Sequence, residues 1–322
     1  MSVIVIIILV IILILVILDI VFVDWMTRYA CDSRCPDPPA NIAQGLLGKK
    51  AKKINTNSPS RVRAEELKKL ADETVVITNR EGMKLSGHWY RCEQPKRIIL
   101  AGHGWRSSWN YDFNGPYKFL HHCGCSVLFI EQRCHGSSEG RYYYHGKKER
   151  FDYVDWVEYI VKEYPDNLPI YVYGLSMGGA SAIMSTTAGI HERVKGVIAD
   201  SAYTSAQDTG LQTISNIGVP PEFFYSQVRI DYKLRLKMAD NAYTTIDALR
   251  ENTKIPILFI SGTKDKIATV KMQKELFSIC KTPKLQLIVE GAGHMKSYYQ
   301  EPQEYEKIVR EFFEMIEENP GE

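Results

Sequence analysis

The sequence predicts an α/β fold: a mostly parallel sheet of about eight strands, helices on both faces, and a helical insertion over the strand ends. Three observations carry this. From Arg97 onward, short runs of almost unbroken apolar residues alternate with segments of helical periodicity. Such runs suit strands buried on both faces, as parallel strands are. Most of these runs end in a glycine-containing turn, the usual punctuation of a strand end. One run, Ile170 to Tyr173, leads through Gly174-Leu175-Ser176-Met177-Gly178-Gly179 into a small-residue segment, which reads as strand, tight turn and helix.

In chain order, Val3 to Val23 is almost wholly Ile, Leu and Val, with Asp19 its one charge. Roughly twenty such residues match the apolar thickness of a bilayer. The start lacks the basic residues of a cleavable signal, and no small-residue cleavage site follows. Residues 1–23 are therefore expected to be a retained transmembrane anchor. Arg28, Arg34 and the cluster Lys49, Lys50, Lys52 and Lys53 all follow the span, which places the body of the protein on the cytoplasmic side. Residues 24–63, with Pro36, Pro38 and Pro39 and little periodicity, are expected to be a linker. Residues 64–322 then form the folded domain. Its seven cysteines are an odd, scattered set and not a disulfide framework; Cys31 and Cys35 are placed to pair only if they lie outside the cell. No Cys/His spacing resembles a structural zinc site. The charge is balanced, 40 Lys and Arg against 38 Asp and Glu, which gives no reason to expect nucleic-acid binding.

Within the domain, Ala64 to Ala71 suggests a short helix. Thr74 to Thr78 and Leu85 to Tyr90, around Glu81-Gly82, form a hairpin pattern. Strands are expected at Arg97 to Ala101, Ser126 to Ile130, Ile170 to Tyr173, Val194 to Ala199, Ile255 to Ile260 and Leu285 to Val289. Helices are expected at Tyr117 to His122, Glu149 to Tyr164, Val270 to Cys280 and Gln303 to Glu317. The interval from about 203 to 252 breaks the alternation. A structureless loop of that length is uncommon, so a helical cap is expected there. Its aromatic residues Phe223, Phe224, Tyr225, Tyr232 and Tyr243 suit an acyl chain, whereas Glu222 and Asp231 suit a substrate amine.

The turn around Ser176 has the Gly-x-Ser-x-Gly spacing of a nucleophile elbow. A serine hydroxyl needs a base, and the base needs a carboxylate. Asp265 and His294 each follow a predicted strand end, and the order Ser176, Asp265, His294 suits such a relay. Asp240 and Asp247, inside the cap interval, are less well placed. With Gly102-His103-Gly104-Trp105 and Glu131-Gln132-Arg133-Cys134-His135-Gly136-Ser137-Ser138, the chain resembles the α/β-hydrolase superfamily from about Val75 to Phe313. The second motif departs from the family's usual pattern at Glu131 and Cys134. The resemblance implies an oxyanion hole made by the backbone N–H groups of Trp105 and Met177, and no metal or organic cofactor; His103 and His135 lie in glycine turns and read as structural and not catalytic. It implies a serine hydrolase acting on a small acyl substrate: an ester, thioester or small amide. An aminopeptidase or acyl-peptide hydrolase would use the same residues, and a non-catalytic scaffold on this fold is a third possibility. The elbow is similar to those of monoglyceride lipases, small esterases and prolyl-oligopeptidase-related enzymes alike. Oligomeric state is left open.

Overall fold

The computed structural model describes residues 3–37, 58–71, 73–216, 218 and 220–318, without the side chains of residues 222–224. Helices are α1 Val3–Cys31, α2 Pro59–Leu70, α3 Trp109–Asp112, α4 Tyr117–His122, α5 Glu149–Glu163, α6 Met177–Ser185, α7 Ala206–Asn216, α8 Pro221–Leu236, α9 Thr245–Glu251, α10 Val270–Ile279, α11 Ser297–Gln300 and α12 Pro302–Glu317. Strands are β1 Glu73–Thr78, β2 Lys84–Tyr90, β3 Arg97–Gly102, β4 Cys125–Ile130, β5 Ile170–Leu175, β6 Val194–Asp200, β7 Ile257–Gly262 and β8 Lys284–Val289.

The strands form one eight-stranded sheet in the order β1-β2-β4-β3-β5-β6-β7-β8. β1 pairs antiparallel with β2, and β2 with β4; every later pair is parallel. Strand periodicity splits the apolar runs between two cores. Ile98 and Leu100 face a cluster that includes Trp156 of α5 and Met177 and Ala180 of α6. Ile99 and Ala101 face the other cluster, with Leu67 of α2, Leu120 of α4 and Phe312 of α12. Both faces are therefore dry, and the central strands must read as continuous apolar runs. The parallel strands β3 to β8 all end at one edge, where loops carry the polar residues.

The interval after β6 holds α7 and α8, which lie over that edge. The expected cap is shorter than 203–252. Ala248 and Leu249 of α9 sit in the same core as α5 and α6, so α9 belongs to the sheet layer and not to the cap.

The expected linker at 24–63 also differs from the structure. Asp24 to Cys31 continue α1 without a break, because no Gly or Pro interrupts Val3–Cys31. This end of α1 packs on α8, and Val23, Thr27, Tyr29 and Cys31 are buried. Asp32, just beyond it, is held by Arg141 at 2.9 Å. Residues 38–57 of the expected linker lie outside the described residues, and α2 begins at Pro59. By contrast, the large apolar residues from Val3 to Val21 are exposed. α1 is long and apolar enough to cross a membrane by length and composition. Cys31 and Cys35 are both buried free thiols.

Candidate active site

β5 delivers Ser176 on a backbone turn with φ 55° and ψ −114°, a region that L residues rarely adopt. The strain is held by the Ser176 N–H, which donates to the carbonyl of Asp200 at 2.8 Å on the neighbouring strand. The turn is possible only because its flanks lack side chains. A Cβ on Gly174 would lie 2.1 Å from the carbonyl oxygen of Gly178, and one on Gly178 would lie 2.1 Å from that of Gly102.

The loops after β7 and β8 bring Asp265 and His294 to the same point. His294 Nε2 lies 2.8 Å from Ser176 Oγ, and His294 Nδ1 lies 2.7 Å from Asp265 Oδ2. A carboxylate only accepts, so Nδ1 carries the imidazole proton and Nε2 is free to accept from the serine hydroxyl. Asp265 is itself fixed: its other oxygen accepts from the N–H groups of Ile267 at 2.8 Å and Ala268 at 3.0 Å. The histidine loop is pinned next door, where the Met295 N–H donates to Ser201 Oγ at 3.1 Å and Ser201 Oγ donates to Asp200 at 2.9 Å. Burial pushes the Asp200 carboxyl up to about 6, against the pull of its Ser201 and Tyr305 hydrogen bonds.

Trp105 lines the same cavity as Ser176, and Met177 follows Ser176 in the chain. Met177 is the first residue of α6, where backbone N–H groups have no intrahelical acceptor. The Trp105 loop is braced from several directions. Asp112 accepts from the Gly104 N–H at 2.8 Å and the Ser107 hydroxyl at 2.6 Å. The Arg106 N–H donates to His135 Nε2 at 2.9 Å, and His103 Nδ1 donates to the Gly104 carbonyl at 2.7 Å. Burial drives His103 down to about 4 and His135 down to about 3, so both are neutral braces of this loop. The loop after β4 is tied to α5 by Arg133, which makes two bonds to buried Asp152 at 2.6 and 2.8 Å. Glu131, where the motif departs from its usual form, accepts from the Ser137 N–H and pairs with His88.

Asp240 and Asp247 do not reach His294. Asp240 accepts from Tyr225 and Arg229, and Asp247 closes a capping box with Thr244 at the start of α9. A cavity of about 610 Å³ opens above Ser176 and His294, a size suited to a small organic ligand. Of the cap aromatics, Tyr225 and Tyr232 line it. Tyr243 instead bonds Thr187 and Glu251, and the side chains of residues 222–224 lie outside the described residues. Met26, Tyr29 and Ala30 of α1 also line the cavity, a contribution the sequence reading missed. Among the described residues, no group of three or more His, Cys, Asp or Glu side chains is arranged to hold a metal ion.

The profile of the family described as serine aminopeptidase, S33, matches residues 93–219, which span the Trp105 loop, the elbow and the first cap helix. The esterase Pf2001 of Pyrococcus furiosus superposes with a TM-score of 0.63 at 26% identity, over 76% of this chain and 91% of that one. This chain has the α/β-hydrolase fold. Protein bem46 of Schizosaccharomyces pombe is 30% identical over 161 residues, 49% of this chain and 48% of that protein, so the match spans about half of that relative. The uncharacterized protein YqkD of Bacillus subtilis is 22% identical over 262 residues, 79% of this chain and 83% of its own length. In this α/β-hydrolase fold, the loops after β3, β5, β7 and β8 converge below the α7–α8 cap, and α1 adds a wall of its own.

Proposed function

We propose that the protein is a membrane-anchored serine hydrolase that cleaves an ester, thioester or small amide through an acyl-enzyme on Ser176. The observation that carries this is the hydrogen-bonded series Asp265–His294–Ser176, at 2.7 and 2.8 Å, on the floor of a cavity. Ser176 Oγ attacks the acyl carbon while His294 Nε2 takes its proton. Asp265 keeps His294 in the tautomer that accepts, and stabilises it once charged. The oxyanion is held by the Trp105 and Met177 N–H groups. His294 then returns the proton to the leaving group, and water, deprotonated by the same imidazole, releases the acid and restores Ser176.

An acyl chain suits the cavity better than an amine does. The wall is rich in Tyr, with Met, Ile and Val228 beside them, and the carboxylates at the cavity are engaged: Asp240 by Arg229 and Tyr225, Asp112 by the Gly104 N–H and Ser107, and Asp37 by Arg106. The aminopeptidase reading, which the matched family profile favours, needs a carboxylate open to a substrate amine. Matched chromogenic esters and aminoacyl amides test the choice. Ester hydrolysis abolished by Ser176→Ala supports the proposal; equal ester hydrolysis by that variant overturns it.

Residues 3–23 are the proposed span, with the catalytic domain cytoplasmic by the cationic residues Arg28 and Arg34 and the lysines that follow. Retention of the helix is supported by its far end, since removal of α1 as a signal would strip Tyr29 and Cys31 from buried positions.

A further inference from the structure

We infer that the cavity, walled by the end of α1 and by α8, opens at the bilayer surface and takes a membrane-resident amphiphile with one long acyl chain. This rests on the serine-hydrolase and anchor readings above.

The same helix is both proposed span and pocket wall. With a rise of about 1.5 Å per residue, Met26 lies only about 5 Å along the axis beyond Val23. Met26, Tyr29 and Ala30 line the cavity above Ser176 together with Tyr225, Val228 and Tyr232 of α8. The joint between span and domain is stiff. Asp24 pairs with Arg235 of α8, and the Tyr29 ring meets the Trp105 ring edge-on at 5.1 Å. The Arg106 guanidinium donates to the carbonyls of Tyr29, Asp32 and Cys35 at 3.2, 2.9 and 2.9 Å. The domain therefore cannot swing its cavity away from the end of the span.

α8 carries a second mark of a bilayer contact. Ile230 and Leu234 are 63% and 72% exposed, one helical turn apart, on the helix that packs along α1. Exposed Lys233 and Lys237 lie beside them. Exposed aliphatic side chains flanked by lysines suit a helix seated among acyl chains and anionic headgroups. The same seating explains the substrate class. A long chain gains little by crossing water, because each methylene exposed on the way opposes transfer. A mouth at the interface lets it pass from lipid to the apolar wall directly. The acyl carbon–oxygen bond then breaks at Ser176, water supplies the hydroxyl, and fatty acid and alcohol leave.

The test uses the full chain in vesicles of zwitterionic and anionic phospholipid, with p-nitrophenyl palmitate as membrane-resident probe and p-nitrophenyl acetate as soluble probe. At fixed enzyme and palmitate ester, added inert phospholipid in the same vesicles should lower palmitate hydrolysis in proportion to its mole fraction, leaving acetate hydrolysis unchanged. Ile230→Glu with Leu234→Glu should lower kcat/KM for palmitate by roughly tenfold or more, since the burial of two aliphatic side chains is lost, with acetate hydrolysis retained. Palmitate hydrolysis that ignores dilution, no palmitate hydrolysis beside active acetate hydrolysis, or an equal effect of the variant on both esters would overturn the inference. If the variant misfolds, the dilution series on the unaltered chain decides. Acetate hydrolysis and fluorophosphonate labelling report on Ser176 separately. Failure of both removes the serine-hydrolase reading, whereas their success without a dilution response removes only this one.

Discussion

The indole N–H of Trp105 donates to the backbone carbonyl of Ala30 at 3.2 Å. That bond joins the loop that flanks Ser176 to the end of the N-terminal helix. The neighbouring Arg106 strengthens the joint by capping carbonyls at that helix end, where a cation is also favoured by the helix dipole.

Arg106→Ala should therefore weaken both stability and turnover. Charge-assisted hydrogen bonds to buried carbonyls are worth about 1.5–3 kcal/mol. A loop shifted by even about 1 Å can lose on the order of a hundredfold in rate. Urea unfolding and ester kinetics check this. A variant with parental stability and kcat would show that the helix end and the loop are energetically independent.

Asp112 is a positioning residue for the same loop. Asp112→Ala removes the acceptor of the Gly104 N–H and the Ser107 hydroxyl, and should lower kcat by roughly tenfold to a hundredfold with little change in KM. Asp112→Asn keeps one amide oxygen as acceptor and should recover part of the loss. If Asn and Ala variants behave alike and only KM moves, the loop is not held this way.

Acid should destabilise the protein through its buried histidines. Burial lowers His103 to about 4, and His135 and His145 to about 3, against an unfolded value near 6.5. The unfolded chain binds these protons first, so the stabilisation is complete above about pH 6.5 and is lost as pH falls toward the folded values. Each histidine costs about 1.4 kcal/mol per pH unit in that window. Denaturant midpoints measured between pH 7 and pH 5 should drop, and His145→Gln should make the drop shallower. Equal midpoints across this range would contradict the assignment of neutral, buried imidazoles.

The fold was legible because its physics is local. Ile98 to Ala101 and Val127 to Ile130 are apolar at every position, and only a strand covered on both faces uses such a run. That Ser176, Asp265 and His294 would meet was also legible, since each follows a strand end and a nucleophile would need a base and the base a carboxylate. What the sequence hid is long-range. Asp24 to Cys31 reads as the start of a linker after an apolar run, and its burial depends on α8, some two hundred residues later. Asp112 gave no signal either, because a carboxylate that accepts a backbone N–H eight residues back has no distinctive spacing. The cap was overextended because α9 shares its mixed composition; only its packing of Ala248 and Leu249 reveals it as part of the sheet layer.

Asp265→Asn should lower turnover by about ten-thousandfold, because the amide favours the wrong imidazole tautomer. Single-turnover ester kinetics measure this. A nearly silent substitution would mean that His294 is oriented by something else.

The most direct test of the central claim is covalent labelling of the full chain by a fluorophosphonate, followed by mass spectrometry of the modified peptide. The account predicts one adduct, on Ser176, lost in Ser176→Ala and strongly slowed in His294→Ala. A folded protein that takes no label, or takes it on a different residue, would contradict it.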